Sequence, residues 1–246
     1  MSQNYKAVIR YDGTDFYGWQ IQKNGPTIQS EMQKAILKIT SERPTVIGSG
    51  RTDSGVHAEG QVANFVLSRP RDVDRLLRSL NAVLPDTIRV IHLSKTAPNF
   101  HAQFSVRRKI YWYRIWNAPV THPFWQRFTL HVTDDLDLES MQGAARHLLG
   151  RHDFRTFTAS GATTETFQRD LYVSEFARHG RMITYKVAAS GFLHHMVRNI
   201  VGTLLLVGQG RVSPSALTEI LQSKDRRLAG PTAPAHGLSL KKVIYR

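Results

Sequence analysis

The residues best suited to covalent and proton chemistry fall in one stretch: Gly48-Ser49-Gly50-Arg51-Thr52-Asp53-Ser54-Gly55-Val56-His57-Ala58-Glu59-Gly60. Its glycines permit left-handed backbone and close approach to a ligand. Between them stand Arg51 for anion binding, Asp53 for nucleophilic or base chemistry and His57 for proton transfer. A carboxylate becomes a useful nucleophile when a nearby cation holds it ionised. The same composition also describes a surface loop whose Asp turns back onto its own backbone. Familiar cofactor loops do not fit. No Gly-Lys-Ser or Gly-Lys-Thr occurs, as a phosphate-binding loop requires. Short strands are expected on both sides, where a dinucleotide loop needs a strand and a helix.

A second run is Phe192-Leu193-His194-His195-Met196-Val197-Arg198-Asn199-Ile200-Val201-Gly202. Adjacent His194 and His195 diverge by roughly 100° on a helix, which makes them poor joint metal ligands, and no metal site is assigned. Arg198 lies on an otherwise apolar helix, where a partly buried guanidinium needs a carboxylate or a phosphate. Asp53 is one candidate partner, and spacing alone does not decide it. A third run, Arg107-Arg108-Lys109-Ile110-Tyr111-Trp112-Tyr113-Arg114-Ile115-Trp116, leads basic residues into alternating aromatics. It reads as a base-stacking, phosphate-neutralising strand or as a core strand with a solvated basic end. Arg71, Arg75 and Arg78 share one face of a helix, a stripe suited to a phosphate backbone or to solvent.

The elements that must position these residues follow from periodicity and punctuation. Strands are expected at Tyr5 to Tyr11, Thr45 to Ile47, Gln61 to Leu67 and Ile88 to Leu93. Thr27 can cap a helix with Ile28, Met32, Ala35, Ile36 and Ile39 inward, and Asp72 a helix carrying Val73, Leu76, Leu77, Leu80 and Val83. In the second half, Ile110 to Trp116 is an aromatic strand. Asp137 opens a helix carrying Leu138, Met141, Ala145, Leu148 and Leu149, closed by Gly150. Leu171 to Phe176 and Met182 to Ala188 form a hairpin across Arg178 to Arg181. Helices at Leu193 to Gly208 and Pro214 to Ser223 precede a closing strand near Leu240 to Tyr245. Hairpin-like strands between helices indicate an α+β fold with mainly antiparallel sheet, divided into residues 1–105 and 106–246.

Composition narrows the function classes. The chain has 246 residues, 33 Lys plus Arg against 19 Asp plus Glu, and a formal charge of +14. At 41% hydrophobic and 21% charged it has ordinary globular usage. The charge points to a polyanionic partner, nucleic acid first, since neutralising phosphates releases counterions. Absence of cysteine removes disulfides, thiolate metal sites and thiol nucleophiles. No apolar signal core follows Met1, and Val201 to Val207 is too short to span a bilayer. A soluble, cytoplasmic protein without a membrane partner is expected.

At these motifs the sequence resembles the tRNA pseudouridine synthase A family. Gly50 to Ala58 carries the family's catalytic-aspartate pattern, Phe192 to Gly202 its His-His-Met-Val-Arg-Asn-Ile-Val-Gly run, and Gly237-Leu238-Ser239-Leu240 its Gly-Leu-x-Leu signature. Tyr11-Asp12-Gly13-Thr14-Asp15-Phe16-Tyr17-Gly18-Trp19-Gln20 and Phe100-His101-Ala102-Gln103-Phe104-Ser105 add to the likeness, which covers essentially the whole chain. Ser54 stands where the family commonly has Ala, Thr158 to Gln168 is a divergent polar stretch expected to face RNA, and Arg169-Asp170-Leu171 matches an Arg-containing motif loosely.

The resemblance implies two similar halves of RRM or ferredoxin-like type, their antiparallel sheets joined around a central active cleft. It implies isomerisation of uridine to pseudouridine in the anticodon arm of tRNA, at about positions 38, 39 and 40, without a cofactor and in a homodimer. Asp53 would be the nucleophile, Arg198 its ion-pair partner, and Tyr111 the residue against the uracil, assisting removal of the C5 proton. Arg51 would hold the nucleotide out of its stack and Leu238 would pack under the base. His57 and His195 complete the expected substrate-binding set. Attack at C1′, attack at C6 and ribose deprotonation stay open. The alternative is a non-catalytic RNA-binding module with paired ferredoxin-like sheets. Thiol-dependent methyltransferases and zinc deaminases are excluded for want of cysteine.

Overall fold

Alternating burial along Gln3–Tyr11 makes β1, which turns Tyr5, Ala7, Ile9 and Tyr11 inward. The structure is a computed structural model and describes residues 2–159 and 164–245; residues 160–163 of the expected RNA-facing stretch lie outside the described residues. It divides into two units, Met1–Arg107 with Ser239–Arg246, and Arg108–Leu238. Both mix helices with sheet, as the sequence predicts.

In the first unit β1 lies between β3 (His57–Leu67) and β4 (Ile88–Thr96), antiparallel to both. The closing strand, β10 (Leu238–Tyr245), joins β3 in parallel, with Ser239 opposite His57 and Leu240 opposite Ala58. Helix α1 (Ile28–Thr40) begins with a reciprocal cap: Thr27 Oγ1 accepts from the Ser30 amide at 3.2 Å, and Ser30 Oγ accepts from the Thr27 amide at 3.1 Å. It buries Ile28, Met32, Ala35 and Ile36. Helix α2 (Val73–Val83) is capped by Asp72 and buries Leu76 and Leu80, while Arg75 and Arg78 stay exposed; Arg71 is exposed too but precedes the cap, so the expected three-arginine helix face keeps only two.

Several expected boundaries shift here: β1 begins at Gln3 instead of Tyr5, and β4 runs on to Thr96 instead of ending at Leu93. The short strand near Thr45 is instead β2 (Ile47–Gly48). The Val46 carbonyl accepts from the Gln29 side chain at 2.8 Å, so a glutamine of α1 takes the place of a strand neighbour. Strand β3 starts four residues before Gln61, where β10 supplies a partner that local sequence does not reveal.

In the second unit β5 (Val106–Asn117), β9 (Met182–Ala189), β8 (Gln168–His179) and β7 (Gly150–Asp153) pair antiparallel in that order, and β6 (Leu130–Val132) lies parallel to the end of β5. The β8–β9 hairpin closes through Gly180 and Arg181, with Gly180 at φ 57. Helices α3 (Leu138–Arg146), α4 (Met196–Gly208) and α5 (Ala216–Ser223) complete the unit.

Gly150 does not close α3. The helix stops at Arg146, Leu149 is exposed, and Gly150 at φ 97 opens β7, whose partner is β8. Nor does α4 include Leu193: His195 sits at its N-cap in the left-handed region, φ 62, so the helix starts at Met196. No helix among the described residues is long and apolar enough to cross a membrane.

Candidate active site

Asp53 sits in a β-turn. Its carbonyl accepts from the Val56 amide at 3.1 Å, and Gly55 takes φ 77 as the third residue, a conformation that favours glycine. The side chain is half-buried and Arg51 is exposed. What holds the turn is the segment after β1. The Thr52 carbonyl accepts from the Trp19 amide at 3.1 Å, and the Phe16 carbonyl accepts from Gly55 N at 3.3 Å and Ser54 Oγ at 3.2 Å. A Cβ at Gly13 would lie 2.0 Å from the Val56 carbonyl oxygen, and one at Gly18 2.5 Å from that of Thr52. Backbone packs on backbone, leaving no room for a side chain. On the other flank, Ser49 N donates to the Val62 carbonyl at 2.7 Å and Gln61 Nε2 to the Gly50 carbonyl at 3.0 Å. A carboxylate presented by so braced a turn can attack a carbon or take a proton with little reorganisation.

Beneath the turn, the buried Tyr11 hydroxyl meets Thr52 Oγ1 at 2.9 Å, and burial pushes the phenol up to about 12. Thr52→Val removes one partner of that hydroxyl while Gln61 remains. We expect it to lower unfolding free energy by about 1 kcal/mol in urea denaturation, and an unchanged stability would show the bond carries nothing. His57 is buried, with Gly13 N donating to its Nδ1 at 3.0 Å and Asp12 Oδ1 3.1 Å from the same nitrogen. A neutral ring accepts from Gly13, and a protonated ring gives its hydrogen to Asp12. Either way His57 ties the Asp12–Gly13 corner to the start of β3.

In the second unit Arg198 lies on the first turn of α4, half-buried. Its Nε donates to the Ala233 carbonyl at 2.7 Å, and Ala233 N donates back to the Arg198 carbonyl at 3.1 Å, which fixes the plane of the guanidinium. The next residue, Asn199, is fully buried and holds three elements together. Its Nδ2 donates to the Phe157 carbonyl at 2.8 Å, and its Oδ1 accepts from Thr232 Oγ1 at 2.6 Å and from Arg226 at 3.1 Å. At Gly202 a Cβ would lie only 1.7 Å from the Pro231 carbonyl oxygen, so the helix and the 230–233 segment touch main chain to main chain.

Tyr111 projects from β5, 7% exposed, with Phe192 edge-on at 5.0 Å between ring centres. Two residues on, buried Tyr113 donates its hydroxyl to the Pro234 carbonyl at 2.9 Å, and its ring fills the space where Gly237 lacks a side chain. Burial raises the Tyr113 phenol strongly, while the charge of Arg198 opposes it. Leu238 follows, 5% exposed. His236 also belongs to this neighbourhood: burial lowers its pKa, a hydrogen bond with the Thr129 backbone raises it, and Arg198 lowers it.

The histidine pair departs from the sequence reading. His194 and His195 are not on consecutive helical positions but in the turn before α4, and their rings lie 4.0 Å apart instead of diverging. The first unit thus holds Arg51, Asp53 and His57, and the second holds Tyr111, His195, Arg198 and Leu238. Residues that sequence reasoning gave no role are Tyr11, Gly13, Gly18 and Trp19 around the turn, and Asn199, Ala233 and His236 around Arg198. The glycines were visible as a spacing, but nothing local showed what they pack against.

Comparison with known proteins gives a consistent picture. A profile of the tRNA pseudouridine synthase family matches residues 7–105 and 144–246. The chain is 43% identical over 243 residues to tRNA pseudouridine synthase A of Thermoanaerobacter sp. (strain X514), covering 99% of this chain and 100% of that one. It is 42% identical over 242 residues to tRNA pseudouridine synthase A of Moorella thermoacetica, covering 98% of each. The Brevibacillus brevis protein of the same name is 42% identical over 240 residues, again covering 98% of each.

Proposed function

The chain belongs to the tRNA pseudouridine synthase family and isomerises uridine in tRNA, and we propose that Asp53 is the nucleophile and the anticodon arm the target, at about positions 38 to 40. The observation that carries the assignment of Asp53 is its place in the turn between β2 and β3, braced on both flanks. The reaction breaks the C1′–N1 bond, turns the uracil and joins C5 to C1′. The C5 proton leaves and N1 gains one, so atoms balance without an oxidant, reductant or external group. Asp53 acts by attack at C1′, by attack at C6 or by deprotonating the ribose.

Arg198 is the proposed cationic partner that keeps Asp53 ionised, a role suited to a guanidinium already oriented by Ala233. Tyr111 lies against the uracil and assists loss of the C5 proton, Leu238 packs under the base, and Arg51 holds the nucleotide out of its stack. His195 flanks the bound nucleotide, and buried His57, expected to touch it, supports it through the Asp12–Gly13 corner instead. The enzyme works in the cytoplasm as a homodimer. A charge of +14 supports recognition through phosphates and shape.

Target choice is tested with tRNA transcripts that carry uridine at only one of positions 38, 39 and 40, followed by nucleoside analysis. Pseudouridine in each of the three is expected. Modification confined to another arm of the tRNA would overturn the anticodon-arm assignment.

A further inference from the structure

The second unit carries a pair of cations that the roles above leave unused. Strands β5, β9 and β8 lie side by side, with Lys109 opposite Ala189 and Ala189 opposite Leu171. Residues opposite one another share a face, and so do residues two apart. Lys109, Tyr111, Leu171 and Arg169 therefore share one face of this sheet. The same register carries Arg169 across from Gly191, where an added Cβ would lie 3.5 Å from its Nε, so the guanidinium rests on bare backbone. Its Nη1 donates to the carbonyls of Thr166 and Gln168 at 2.9 and 2.6 Å, which holds it in place. With Thr164, Glu165, Ser190 and Gly191 it lines an open depression of about 430 Å³.

Both cations are half-buried, and among the described residues neither has an ion-pair partner. Burial and the charge of Arg169 push Lys109 down to about 8, and burial lowers Arg169 as well. Two partly desolvated like charges side by side are costly until an anion joins them.

We propose that Lys109 and Arg169 clamp one backbone phosphate of the RNA beside the target uridine. The position rests on the reading of Tyr111 as the residue against the uracil, because Lys109 precedes it by two residues on one face, about 7 Å along the strand. The guanidinium offers its planar fork to two phosphate oxygens and the ammonium acts as a point charge. Such a contact sets register and carries no base information, which suits an enzyme treating neighbouring uridines alike.

The test is tRNA binding as a function of KCl concentration, read beside C5 tritium release. Lys109→Met removes a half-buried charge with little change of length, so thermal unfolding is expected to stay within a few degrees of wild type. It is expected to weaken tRNA binding about tenfold at low salt, to flatten the slope of log K against log salt by about one, and to raise KM more than it lowers kcat. Lys109→Arg should restore the slope. Lys109→Gln replaces the Met variant should the latter unfold early. An unchanged slope in a folded neutral variant, or no rescue by Arg, overturns the clamp. The binding slope is read without catalysis, so a wild type that releases no tritium would sink the isomerase reading and leave the phosphate contact standing.

Discussion

Asp53→Asn is expected to lower pseudouridine formation in tRNA by at least about a thousandfold while tRNA affinity stays within about threefold of wild type. Asn keeps the shape of the side chain but gives neither an anionic nucleophile nor a base. The backbone contacts that shape the turn survive the change: Asp53 O to Val56 N, Thr52 O to Trp19 N and the packing of Gly13 and Gly18. Binding draws on phosphates spread over a +14 surface, so a single neutralised carboxylate alters it little. Single-turnover assays with nucleoside analysis give the rate and filter binding gives the affinity. A variant retaining a tenth of the wild-type rate would remove Asp53 from the chemistry.

The largest structural effect is expected at Gly202. A methyl group there would lie 1.7 Å from the Pro231 carbonyl oxygen, and one at Gly230 would lie 2.7 Å from the Gly202 carbonyl oxygen. No side chain can swing away, because both surfaces are main chain. Separating them also drags Ala233 off Arg198, to which it is bonded in both directions. Gly202→Ala is therefore expected to cost about 3 kcal/mol or more, seen as a fall of several degrees in Tm and loss of activity together. Gly143→Ala in α3 is the matched control. Nothing lies within 4 Å of its added methyl, so helix propensity alone acts and stability rises by about 0.5–1 kcal/mol. Equal effects at the two glycines would show that close packing at Gly202 is not what the structure describes.

Local chemistry made much of this fold legible. Thr27, Asp72 and Asp137 each cap the helix their sequence context predicts, because a cap depends on residues only three positions away. Gly180 and Arg181 close their hairpin for the same reason. What local chemistry could not show depends on distant partners. His57 to Gly60 became strand through β10, which arrives from the far end of the chain, and Gly150 opened β7 because β8 was there to receive it.

The site divides in the same way. The glycine-rich run marked the loop that presents Asp53, whereas the bracing by Tyr11, Gly13, Gly18 and Trp19 is a tertiary contact with no sequence signal of its own. The apolar neighbours of His195 follow a helical pattern, which predicts a helical His195. Its left-handed backbone, φ 62, moves both histidines into the turn before α4. Lys109 shows a further limit. The sequence marks it as one of three consecutive basic residues, and only the register of β5 against β9 and β8 singles it out as the neighbour of Arg169.

Rearrangement of uridine in tRNA by this chain is read out by tritium release from transcripts labelled at C5 of uridine. Tritium leaves C5 only when that carbon exchanges its hydrogen for a new bond, so release without any added donor or cofactor reports the isomerisation itself. Release by wild type is expected, with none above background from Asp53→Asn. Absence of release from every tRNA tried, with tRNA binding intact, would contradict it and leave a non-catalytic RNA-binding module as the better description.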